Sequence, residues 1–111
     1  MEKIEQYRDY IKNILLEYAS YKPSYGKVEM EVIFDTERDR YQVVRVGWEN
    51  KQRVYGCSMH LDIKDGKIWI QQNVTEIDVG QELVNFGVPK SDIVVGFHLP
   101  YMRQFTEFAV S

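Results

Sequence analysis

Apolar and polar residues alternate with two different periods along the chain, and the changes of period divide it into elements. From about Glu2 to Ser20, Ile4, Tyr7, Ile11, Ile14 and Tyr18 recur at spacings of three and four, with Leu15 and Ala19 beside them. Glu2, Lys3, Glu5, Arg8, Asp9 and Lys12 fall mostly off that stripe. The spacing predicts a helix with one face against a core. Pro23 stops it, because the residue before a proline resists helical geometry, and the Pro, Ser and Gly content from Tyr21 to Lys27 reads as a loop.

Period two follows. Val28, Met30, Val32 and Phe34 alternate with Glu29, Glu31 and Ile33, which predicts a first strand with the two acids on its outer face. Asp35 to Arg40 reads as a solvated connector, Tyr41 to Trp48 as a second strand with both alternating sets partly apolar, and Glu49 to Gln52 as a turn. From Arg53 to Asn73 two strand-like runs flank Asp65-Gly66, a pair suited to a tight hairpin because such turns require positive φ. Tyr55, Cys57, Met59, Leu61, Ile63, Ile68 and Ile70 fall on one apolar face of this hairpin. Ser58, His60, Asp62, Trp69, Gln71 and Asn73 fall on the other. Strands joined by such short connections predict a four-stranded antiparallel meander.

Beyond Asn73 the helical period returns. Val79, Leu83, Val84 and Phe86 are spaced for a helix, with Thr75 or Asp78 as N-cap, Gly87 as the stop and Pro89 preventing resumption. Gly80 weakens that helix by about 1 kcal/mol relative to alanine. A helical turn at Ser91-Asp92 and an extended run to Phe97 follow, and His98 to Ser111 is an apolar, aromatic tail without a clear period. A tail of this kind packs against its own domain or a partner. The predicted fold class is α+β: N-terminal helix, four-stranded sheet, second helix and extended tail, forming a single domain over residues 1–111.

Composition narrows the function. The net charge is −3 and the pI about 5.4, whereas a domain that grips DNA alone usually carries a basic patch and a high pI. Direct nucleic-acid binding is therefore not expected. No apolar run approaches the ~20 residues of a membrane span, and the N-terminus is acidic where a signal peptide would be basic. One cysteine allows no internal disulfide. A cytoplasmic protein is expected.

Cys57 needs a nearby base to act as a nucleophile, and a strand puts His60, three residues on, on the opposite face. A buried structural thiol is the expectation. His60, Asp62 and His98 are possible metal ligands, but no ligand-spacing motif accompanies them. Asp62, Asp65 and Lys67 resemble the acid–acid–lysine set of restriction-type nucleases, and turn chemistry explains the same residues. We assign no catalytic residue, metal or cofactor. The suggestive feature is the polar face bearing Glu29, Glu31, His60, Asp62, Trp69 and Gln71, which suits a protein interface with Trp69 as its anchor. The alternative is that a helix or the tail covers Trp69. Two exposed faces and an apolar tail also suit a homodimer.

Five stretches carry a family resemblance: EYASYKPSYG (17–26), RVGW (45–48), RVYGCSMHLDIKDGKIWIQQN (53–73), TEIDVGQELVNFGVPKSDIVVGFH (75–98) and RQFTEFAV (103–110). In this order, over nearly the whole chain, they resemble the XisI family of excision-controlling factors, known mainly from cyanobacteria. The resemblance implies an α+β fold with a curved antiparallel sheet. It also implies a factor that acts with a nuclease-like companion, XisH, in programmed excision of a DNA element, while a separate serine recombinase cuts and rejoins the DNA. It carries over no catalytic residue. The expected role is a non-catalytic regulator of the companion, in excision or as an antitoxin-like inhibitor. A DNA-binding accessory factor at the recombination site is the alternative.

Overall fold

The computed structural model describes residues 2–21 and 27–111. The loop expected around Pro23 thus lies largely outside the described residues. Helix α1 runs Lys3–Ser20. Strands β1 (Lys27–Asp35), β2 (Arg40–Glu49), β3 (Gln52–Lys64) and β4 (Lys67–Asn73) follow, then α2 (Val79–Phe86) and β5 (Ile93–Val95). Single 3-10 segments cover Lys90–Asp92 and Pro100–Phe105.

The first four strands form the expected antiparallel meander. Both of its inner turns are two residues long with positive φ throughout: Asn50 and Lys51 at 49° and 69°, Asp65 and Gly66 at 53° and 77°. This is the geometry whose twist matches that of the flanking strands.

The sheet has five strands rather than four, in the order β1-β2-β3-β4-β5, with β5 parallel to β4 and reached through α2. Ile93, Val94 and Val95 are all buried. A parallel strand covered on both faces is apolar at every position, so β5 carries no alternation to announce it.

Helices α1 and α2 cover one face of the sheet. Tyr7, Ile11, Ile14 and Leu15 of α1 and Val79 and Leu83 of α2 meet Tyr41, Val43, Met59, Leu61, Ile63, Ile68, Ile70 and Ile93 in a single core. Two polar clamps fix α1. Arg8 donates Nε and Nη2 to Asp39 at 2.8 and 3.2 Å, while the Tyr41 hydroxyl donates to the same carboxylate at 2.9 Å. Lys3 and the Tyr7 hydroxyl both donate to Asp92.

Asp78 caps α2 by accepting from the Gln81 amide at 3.1 Å, and Gly87 ends it at φ 111°. The reason for Gly80 is tertiary: a Cβ there would lie 2.7 Å from the Phe108 ring. The end of the tail therefore packs on its own protein, while Leu99, Tyr101, Met102 and Phe105 before it are exposed, and the tail is not simply extended. After the 3-10 segment, Ala109 bridges Val94, its amide donating to the Ile93 carbonyl at 2.8 Å. This contact closes the outer edge of β5.

Candidate functional site: the second sheet face

The face turned away from the helices is set by register. Rows of partners cross it: Lys27, Trp48 and Arg53; Glu29, Val46 and Tyr55; Glu31, Val44 and Cys57; Ile33, Gln42 and His60; Asp35, Arg40, Asp62 and Trp69. Tyr55 and Cys57 belong here, not on the apolar core face where simple alternation puts them. The cause is a bulge. Val43 pairs with Met59 but Val44 with Cys57, so Ser58 is an extra residue and everything before it changes face. Ser58 itself is fully buried and accepts from Arg45 Nη1 at 3.1 Å. A second bulge makes Gln71 the extra residue of β4. It moves Asn73, the last residue of β4, off the polar face, so that its side chain donates to the Ile77 carbonyl and accepts from Thr75 in the β4–α2 loop.

At one end of the face the polar residues satisfy one another. His60 Nε2 donates to Asp62 Oδ1 at 2.8 Å, Gln71 Nε2 donates to Oδ2 at 3.1 Å, and Arg40 Nε lies 3.7 Å from Oδ1. Asp62 is only 5% exposed. A buried carboxylate that holds two hydrogen-bond donors and pairs with an arginine anchors strands; little of it remains to meet a partner. Trp69 lies beside it and is covered. Lys64 Nζ sits 4.4 Å from its ring centroid and Arg103 Cζ 5.2 Å. Arg103 also donates to the carbonyls of Gly96, His98 and Val110, lashing the tail across this end. Trp69 Nε1 is buried without a hydrogen-bond partner among the described residues. The exposed Trp69 anchor is thus corrected: the tail covers it.

The other end is bare. Glu29 and Glu31 are exposed, as expected. Between and beside them stand Ile33 (49% exposed), Trp48 (53%) and Tyr55 (72%). Arg53 lies over the Trp48 ring at 5.4 Å. Ile33, Trp48 and Tyr55 were missed as contact candidates. The signal was present for Trp48, in the second strand whose two faces are both partly apolar. Nothing local announces the bulge that turns Tyr55 outward.

The remaining chemical candidates do not assemble. Among the described residues no group of three or more His, Cys, Asp or Glu side chains is arranged to hold a metal ion, so His98 does not join His60 and Asp62. Lys67 turns away from Asp62 to donate to the Ser111 carbonyl. Burial pushes the Cys57 thiol above its ordinary pKa, and Sγ donates to the Met59 carbonyl at 3.4 Å. A cleft of about 320 Å³ lies on the helix side between Tyr18, Tyr21, Ile77 and Gln81, and a larger one of about 440 Å³ lies on the tail between Phe97, Leu99, Met102 and Phe105. Among the described residues no helix is long and apolar enough to cross a membrane.

Fold and surface together define a small α+β protein with a helix-covered sheet whose second face is sealed at one end and open at the other. The chain belongs to the XisI family: the model of that family, described as XisI protein, matches residues 1–110. It is similar to a XisI-like protein from Anabaena variabilis of known structure, with 46% identity, a TM-score of 0.91, and 99% of this chain and 100% of that one covered. It is also similar to the fdxN element excision controlling factor XisI from Anabaena variabilis, with 35% identity, a TM-score of 0.87 and the same coverage. No curated protein matches it.

Proposed function

We propose that this protein is a regulatory factor without catalysis of its own, which binds a nuclease-like companion of the XisH type. It controls the companion's action on DNA, either in excision of a DNA element or as an antitoxin-like inhibitor. Contact is made through the bare end of the second face, where Trp48, Tyr55 and Ile33 are the apolar anchors and Glu29 and Glu31 the charged rim. Support for the regulatory half comes from the relative described as an excision controlling factor. The observation that carries the contact half is the exposure of two large aromatics beside two acids on one sheet face. Aromatic anchors inside a charged rim are what protein interfaces use, and an acidic rim complements a basic, DNA-binding groove.

Co-expression with the companion tests this reading. A stable complex on a sizing column, with the companion's DNA binding reduced, is the expected result. Charge reversal at Glu29 and Glu31 is expected to weaken that complex and to make its salt dependence shallower. No complex, together with duplex binding by this chain alone, would overturn the proposal in favour of a DNA-binding accessory factor.

A further inference from the structure

The two edges of the sheet are treated differently. The β5 edge is three residues long and is closed by Ala109. The β1 edge is nine residues long, and no described segment pairs with its outer side. Its core-face residues Val28, Met30, Val32 and Phe34 are only half-buried, whereas Tyr41, Val43, Met59 and Leu61 on the next two strands are fully buried. The core face is therefore unfinished at this edge, and a strand laid beside β1 would complete it. A long open edge is a template for pairing with another chain.

We infer that β1 is a homodimer interface, in which the β1 strands of two copies pair antiparallel about a two-fold axis at Glu31. This inference concerns the sheet edge and does not depend on the companion.

The strand's own sequence selects that register. With the axis at Glu31 all nine residues pair. Val28 then faces Phe34 of the second copy and Met30 faces Val32, all on the core side. On the second face Lys27 meets Asp35, Glu29 meets Ile33, and Glu31 meets its own copy. Moving the axis to Met30 sets Glu29 against Glu31 twice. Moving it to Val32 sets Glu29 against Asp35 twice. An axis at Glu29 leaves only five residues, 27–31, in the overlap. Like charges directly opposite one another destabilise a strand pair, so the full overlap, with a single like pair, is favoured.

Sedimentation equilibrium of the full chain alone, over a range of concentrations, tests this. A dimer in reversible equilibrium with monomer is expected. Ile33→Glu would place two new like-charge pairs against Glu29 and is expected to weaken the dimer on the order of tenfold or more. Glu31→Gln removes the one repulsive pair and is expected to tighten it by about several-fold. Both side chains are exposed in the single copy, so both variants should fold, and a gain of affinity cannot come from unfolding. A chain that stays monomeric throughout, or a dimer whose affinity ignores both substitutions, would overturn the inference.

Discussion

Trp69 and Trp48 stand on the same face of the same sheet, each with a cation over its ring, yet their surroundings are opposite. Trp69 is flanked by Lys64 and Arg103 and lies next to a carboxylate that is itself buried and fully engaged. Trp48 has Arg53 beside it and remains 53% exposed. A tryptophan whose cation is also tied to three backbone carbonyls of the tail works as part of the protein's own packing. A tryptophan left half in water beside Tyr55 and two glutamates keeps its apolar surface available to another molecule. The covered end of the face thus serves stability, and the bare end is the one we propose for recognition.

Substitutions should separate the two ends, and the largest effect should come from the covered one. Asp62→Ala leaves His60 and Gln71 without their acceptor and Arg40 without its counter-charge, and is expected to cost about 3 kcal/mol, read from urea unfolding. Next comes Arg103→Ala, expected to cost about 1–2 kcal/mol and to uncover Trp69. Acrylamide should quench one tryptophan strongly in the parent protein and both in this variant.

A smaller effect, of about 1 kcal/mol, should attach to Asp39, away from both ends. The Arg8 hydrogen bonds hold its carboxyl below the ordinary value despite partial burial, and Tyr41 adds to them. Because the folded pKa is depressed, the stabilisation is complete above the unfolded value of ~3.9 and is lost as pH falls through the lower folded pKa. Asp39→Asn should flatten the acid limb of a stability–pH curve. The smallest stability effect is expected at the bare end, where Trp48→Ala and Tyr55→Ala should each change stability by less than about 1 kcal/mol.

The same contrast explains what was legible in the sequence. Helix α1, the Asp65-Gly66 turn and α2 with its Gly87 stop are written in local patterns, and each formed where expected. The two bulges are not written locally. Ser58 and Gln71 become extra residues only because β3 must pair with β2 on one side and β4 on the other. For that reason Tyr55 and Asn73 were each placed on the wrong face. Arg103, which lies over Trp69, comes from far along the chain, and a periodicity cannot show such a contact. Glu29 and Glu31 precede either bulge and lie on a regular edge strand, so their exposure was readable. His60, Asp62 and Gln71 were rightly placed on the second face, but their engagement with one another was not.

The measurement that tests the division most directly is companion binding by the Trp48→Ala/Tyr55→Ala double variant, compared with the parent protein by calorimetric titration. Its unfolding midpoint should be measured alongside. A midpoint close to that of the parent, with affinity reduced by roughly 100-fold or more, is the predicted result. Unchanged affinity in a normally folded variant would contradict the assignment of the bare end as the recognition surface.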